Sequence, residues 1–350
     1  MLRRVQDYVR KLGKVASVES TVTTNPDASS VGVTGRIVFR EPDAESVKQG
    51  AVSTGFLFKQ ADEALIQEGL SLWILLDRLD VAFDENSGLE KNALRALFKA
   101  YLDINHLENI DLKIFLRTDI WNRITSEGFR EASHITDSIT LRWESASILN
   151  LVIRRLLKNK DIVDAFDVNP ETVLSDFEEQ RNLFYRLFPA QVDTGPNKPS
   201  TFDWIYSRTA DASNETMPRE VIHLLSALRE VQISRLEKGQ ASIGSEHLFE
   251  KVSFKEALPQ VSEVRLERTL YAEYPTFRDY IERLRGEKAA QKLPSLRRLW
   301  ELDDQKTSEI ANQLVSIGFF ERRGSRDEPT FWVPFLYRSA LNLVQGTSDS

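Results

Sequence analysis

One stretch constrains the fold of this chain more than any other: Leu72-Trp73-Ile74-Leu75-Leu76, running at once into Asp77-Arg78-Leu79-Asp80. Consecutive apolar residues without polar alternation suit a strand buried on both faces of a sheet. Acids at the end of such a strand sit on the rim, where open α/β sheets place their ligands. Asp77 and Asp80 are therefore the first candidate site residues, with Asp77 positioned to hold magnesium directly or through water. The competing reading is an ordinary strand end whose acids cap the next segment.

The segments around this strand extend the pattern. Residues 1–14 read as a short amphipathic helix, with Val5, Tyr8, Val9 and Leu12 on one face. Residues 15–39 read as two strands around a polar turn at 25–30, with an acidic, turn-like segment continuing through Gly50. Helices are expected over 52–68 and 89–102, and a second apolar strand over 112–116, ending in Arg117-Thr118-Asp119. Strand, helix and strand at this spacing imply a parallel pair joined by a right-handed crossover. A further short strand is expected over 135–141, so that residues 1–143 form part of a parallel α/β sheet.

Residues 144–290 then read as an all-α domain. Ser145 is a plausible N-cap for a helix through Asn159, and further helices are expected over 171–188, 202–208, 217–238, 245–252 and 261–284. Residues 291–350 read as helices over 296–300 and 306–316, closed by Gly318, then strands over 319–322 and 330–333. That order is the pattern of a winged helix-turn-helix.

Composition narrows the chemistry. The chain has 350 residues, more than one core usually serves. With no cysteine, disulfides, zinc ribbons and thiol catalysis are excluded, and four scattered His make a zinc enzyme a poor fit. A net charge of −7 supplies no overall basic field for nucleic acid or an anionic membrane. No apolar run approaches the ~20 residues of a membrane span, and no apolar signal core succeeds the basic N-terminus, so a cytoplasmic location without membrane contact is expected.

Two arginines join the acids. Arg117 ends the second strand, where a guanidinium binds a phosphate bidentately or forms a salt bridge to Asp77, Asp80 or Asp119. Arg219, just after the proline that opens the 217–238 helix, either faces an anion at the helix start or is simply solvated. In the winged-helix segment, Lys306, Asn312 and Gln313 lie on the recognition helix, and Arg322, Arg323 and Arg326 lie on the wing. Between Pro294 and Arg338, seven basic residues balance seven acidic ones, whereas DNA readers present a basic face. Protein contact or intramolecular packing therefore ranks ahead of DNA. No Gly-x-x-x-x-Gly-Lys-Ser/Thr occurs anywhere, and neither Gly32–Gly35 nor Gly50–Gly55 is a phosphate cradle.

Taken together, Leu72–Asp80, Lys113–Trp121, Pro218-Arg219-Glu220 and Phe331–Leu336 resemble one family, the bacterial P-loop ATPases related to the AAA+ and STAND classes. In those classes a nucleotide-binding α/β core precedes a helical lid and a winged helix. The resemblance implies that Asp77 is the Walker B magnesium aspartate, that Arg117 ends the sensor strand, and that Arg219 occupies the second-sensor position against ATP. Arg78 stands where many such ATPases keep the water-activating acid, with Asp80 as its substitute. The family core opens with a strand, a Walker A loop and its helix, and Met1 starts after them. Walker A supplies backbone N–H groups, a lysine and a hydroxyl to the phosphates and magnesium. Losing several charge-assisted contacts of ~1.5–3 kcal/mol each abolishes micromolar binding. The expectation is thus the C-terminal part of an ATPase, through a split gene, a misplaced start or a fragment, that does not hydrolyse ATP efficiently alone. Its partners would be an N-terminal Walker A fragment, another protein or further copies of itself, and its switching would serve regulation or defence. The alternatives are a nucleotide-free interaction scaffold and a winged-helix DNA-binding regulator.

Overall fold

A computed structural model describes residues 18–23, 32–37, 53–79, 87–126, 128–213, 216–241, 247–325 and 328–348. The expected helix over 1–14, the acidic segment before residue 50, Asp80 and Arg326 lie outside the described residues. The protein is mixed α/β, mostly helical with small sheets, and divides into two compact units, Met1–Ile139 and Thr140–Ser350.

In the first unit, β1 (Val18–Thr23) and β2 (Gly32–Ile37) pair antiparallel. Helix α1 (Thr54–Glu68) starts where the Ser53 hydroxyl accepts from the Phe56 N–H at 3.3 Å, and it stops at Gly69, whose φ of 63° suits a residue without Cβ. Strand β3 (Leu72–Leu76), helix α2 (Ser87–Ile104) and strand β4 (Ile110–Ile114) make the expected crossover. The strands are parallel, with Leu72 opposite Ile110 and Leu76 opposite Ile114. Helix α3 (Thr118–Ser126) comes next. Ile110 and Leu112 are buried on one face of the pair, and Ile114 on that face packs against a core of Leu94, Phe98, Ile120, Ile124 and Phe129.

The other face overturns the expectation of a strand buried on both sides. Trp73 and Leu75 are 63% and 59% exposed. Asp111 and Lys113 stand opposite them in register, paired at 3.3 Å, and the Lys113 ammonium lies 5.4 Å from the Trp73 ring centroid. An apolar run marks a strand, but which layers cover it depends on chain that lies elsewhere in sequence. Strand β4 also ends two residues earlier than expected, so Phe115, Leu116 and Arg117 form a connection rather than its end. Residues 135–141 form no strand: a 3-10 turn at Arg130–His134 precedes a run in which Ile139 and Leu141 are 89% and 77% exposed.

The second unit begins with α4 (Ser145–Leu156). Its N-cap is Glu144 rather than Ser145, and the chain breaks at Leu157 so that the Asn159 side chain caps α5 (Lys160–Ala165). The helix expected over 171–188 is two, α6 (Pro170–Ser175) and α7 (Phe177–Leu187), divided where the Asp176 carboxylate accepts from the Glu178 N–H at 2.7 Å. Helices α8 (Thr201–Thr209) and α9 (Pro218–Glu237) lie near their expected places. Helix α10 (Lys251–Arg265) runs unbroken where the sequence pattern predicts two helices, and a π turn at Leu266–Leu270 extends it.

Short turns, including α11 (Tyr271–Glu273) and α12 (Arg278–Glu282), lead into β5 (Lys288–Lys292), α13 (Leu293–Trp300) and α14 (Asp304–Ser316). A hairpin of β6 (Glu321–Gly324) and β7 (Pro329–Trp332), the short α15 (Phe335–Arg338) and β8 (Val344–Thr347) complete the unit. The sheet order is β6-β7-β5-β8, with β8 parallel to β5 and the other pairs antiparallel. One hydrophobic cluster runs from Ile148 on α4 to Leu341, so the helical and C-terminal segments share a core.

Candidate functional site

Because β3 and β4 are parallel, the residues just past each strand lie on the same rim, and Asp77 and Arg117 both belong to it. Asp77 is exposed one residue beyond β3. Its Oδ1 accepts the Arg78 N–H at 2.8 Å, and Arg78 has φ 58°, a left-handed conformation costly for a residue with a Cβ. The chain therefore turns sharply just past Asp77, and the carboxylate caps that turn as the competing reading expects.

Arg117 is placed by α3. Its carbonyl accepts the Trp121 N–H at 3.0 Å, making it the residue that opens that helix. Its guanidinium grips Asp119 through Nε and Nη2, each at 3.1 Å. This is the salt bridge that the sequence left open as one reading. The pair is exposed, and such pairs are worth about 0–1 kcal/mol.

Arg219 sits in the other unit, at the first turn of α9, with its side chain 71% exposed and Nε 3.4 Å from Oε1 of Glu220. The buried member of that start is Glu220 itself, which also accepts from Arg265 Nη1 at 3.1 Å. Lys306, Asn312, Gln313 and Arg322 are exposed, and Asn312 spends its amide on the Ser308 carbonyl at 2.8 Å.

Among the described residues, no three His, Asp or Glu side chains gather as a metal site. Magnesium needs only one or two carboxylates when a nucleotide supplies its phosphates. Asp77 fits that part, but nothing in these 350 residues matches a phosphate-binding loop, so the residues present do not form a complete Mg-ATP site.

Two acids that sequence reasoning misses carry more structural weight. Asp62, buried on α1, accepts the backbone N–H groups of Glu108 at 3.1 Å and Asn109 at 2.7 Å, pinning the entry to β4. Asp193 accepts Trp204 Nε1 at 3.0 Å and Lys255 Nζ at 2.8 Å. The Lys255 hydrogen bond, aided by the Trp204 indole and Arg208, holds its carboxyl below the ordinary aspartate range despite partial burial. Neither acid has a local sequence signal. The partners of Asp62 lie 46 and 47 residues away, and Asp193 sits in an irregular loop.

Comparison with family models, with curated proteins and with solved structures finds no match to this chain.

Proposed function

We propose that these 350 residues are the Walker B, lid and winged-helix portion of a P-loop ATPase of the AAA+/STAND type, whose phosphate-binding loop is supplied by polypeptide outside them. The carrying observation is the strand–helix–strand crossover that leaves Asp77 and Arg117 on one carboxyl rim, beside a parallel sheet with one face exposed. Parallel sheets are ordinarily covered on both faces, so a further layer is called for. The order β5, α13, α14, β6, β7 supports the winged-helix assignment, since two helices between a strand and a hairpin are its usual content. In this reading Asp77 holds magnesium on a nucleotide anchored elsewhere, Arg117 leaves Asp119 to meet the nucleotide, and nucleotide state drives a regulatory or defence switch.

The test is isolation of the protein from its host, with intact mass and the sequences of stably bound chains. Peptides containing Gly-x-x-x-x-Gly-Lys-Ser/Thr, whether in a chain above 40.1 kDa or in a partner, together with Mg-ATP turnover lost in Asp77→Ala, are the expected result. A 40.1 kDa species with no such partner and no response to Mg-ATP sinks the proposal. The bidentate Arg117–Asp119 pair favours a second reading, a nucleotide-free interaction scaffold, in which Asp77→Ala leaves partner binding unchanged.

A further inference from the structure

In the second unit, three arginines and three aromatic rings alternate in one stack. Arg323 on β6 lies 4.0 Å from the Trp332 ring centroid, and Arg338 on α15 lies 4.2 Å from the same ring. Arg338 is also 4.2 Å from Phe335, Arg208 on α8 is 4.2 Å from Phe335, and Arg208 is 5.0 Å from Trp204. The outer cations have carboxylates: Arg323 grips Glu321 at 2.7 and 2.8 Å, and Arg208 lies 3.9 Å from Asp193.

Among the described residues, the central one does not. Arg338 is only 7% exposed, more buried than any other arginine described. Its Nε donates to the Val333 carbonyl at 2.8 Å and its Nη1 to the Gln345 side chain, but its buried Nη2 has no acceptor among the described residues. Burial, then repulsion from Arg323 and Arg208, pushes its pKa down to about 10. Ring faces attract a guanidinium but do not neutralise it. A buried charge without a counter-ion is a cost that native proteins rarely retain without a use.

We propose that this stack is a binding site for a compact phosphate group, which reaches the buried Arg338 Nη2 when Arg323 turns from Glu321 and opens the stack. A tetrahedral oxyanion supplies the missing acceptor and the missing negative charge together, and guanidinium donors match its geometry bidentately. The orphan donor is buried rather than on a basic surface, which favours a small phosphate over a nucleic-acid backbone.

The experiment titrates the full chain with inorganic phosphate against chloride at constant ionic strength, reading tryptophan fluorescence and thermal melting. A saturable response is expected, with the fluorescence component lost in Trp332→Phe. Arg338→Gln should weaken binding by about tenfold or more, the loss of a charge-assisted contact. If that variant fails to fold, Arg323→Gln on the exposed hairpin serves, with affinity falling by about threefold as suits a partly screened charge. No saturable response, or wild-type affinity in a folded Arg338→Gln or in Arg323→Gln, overturns the site. A short DNA duplex that binds while phosphate fails to compete also overturns it, in favour of nucleic acid.

Discussion

Asp62 shows what single residues do here and why sequence alone hides it. It lies within Gln60-Ala61-Asp62-Glu63, where any acid reads as part of a solvated helix face. Only the fold brings it to the N–H groups of Glu108 and Asn109. Asp62→Ala leaves those donors unpaired, and urea unfolding of the first unit should show a loss of about 2 kcal/mol, the scale for hydrogen bonds to a charged acceptor. Asp77, by contrast, is legible, because an apolar run that stops at an acid fixes both the strand and its end. Asp193 adds a pH dependence. Its carboxyl is held below the ordinary range when folded, so its contribution is present above the unfolded pKa and is lost as pH falls through the folded one. Melting temperature tracked from neutral pH into acid should therefore fall less steeply in Asp193→Asn, from a lower starting value. Equal slopes in the two proteins would exclude that role.

At the scale of elements, what the sequence announces is local and what it hides is long-range. Strand β3 is recognisable from five apolar residues and its parallel partner from the strand–helix–strand spacing, yet the layers that cover the pair are not, and one face proves open. Strand β5 escapes notice because Lys-Ala-Ala-Gln-Lys carries no β-branched or aromatic residue. Ala289, Ala290 and Gln291 are nevertheless buried, since β5 is an inner strand between β7 and β8. The break between α6 and α7 does have a signal: Asp176 with Glu178 and Glu179 after it is an N-cap with acids in the first turn. The two faces of the β3–β4 pair give a direct contrast. Leu75→Lys, on the exposed face, should change stability by no more than about 0.5 kcal/mol. Leu112→Ala, on the buried face, should cost about 2–5 kcal/mol in the same denaturation assay. If Leu75→Lys is as damaging as Leu112→Ala, that face is not open in the isolated chain.

At the scale of the whole molecule, the described residues of the two units form very unequal cores. Among the described residues, the cluster in Thr140–Ser350 contains 36 buried apolar side chains, that in Met1–Ile139 five with partly buried neighbours. Stability grows with apolar area removed from water, so the smaller core should open at lower denaturant and with a smaller dependence on it. The residues where the units divide carry their own mark, since Ile139 and Leu141 are 89% and 77% exposed and belong to no helix or strand. Hydrogen exchange in rising urea should show peptides of β3, α2 and β4 exchanging well before those of α9, α10 and β5. Brief chymotrypsin treatment should cut near Leu141 and leave a C-terminal fragment that still unfolds cooperatively. Addition of the layer proposed to cover Trp73 and Leu75 should raise the first transition toward the second, because anything that binds only the folded unit stabilises it by mass action. A single transition shared by both sets of peptides in the isolated chain would mean that the α/β unit already has the support it needs, and that its open face requires no further layer.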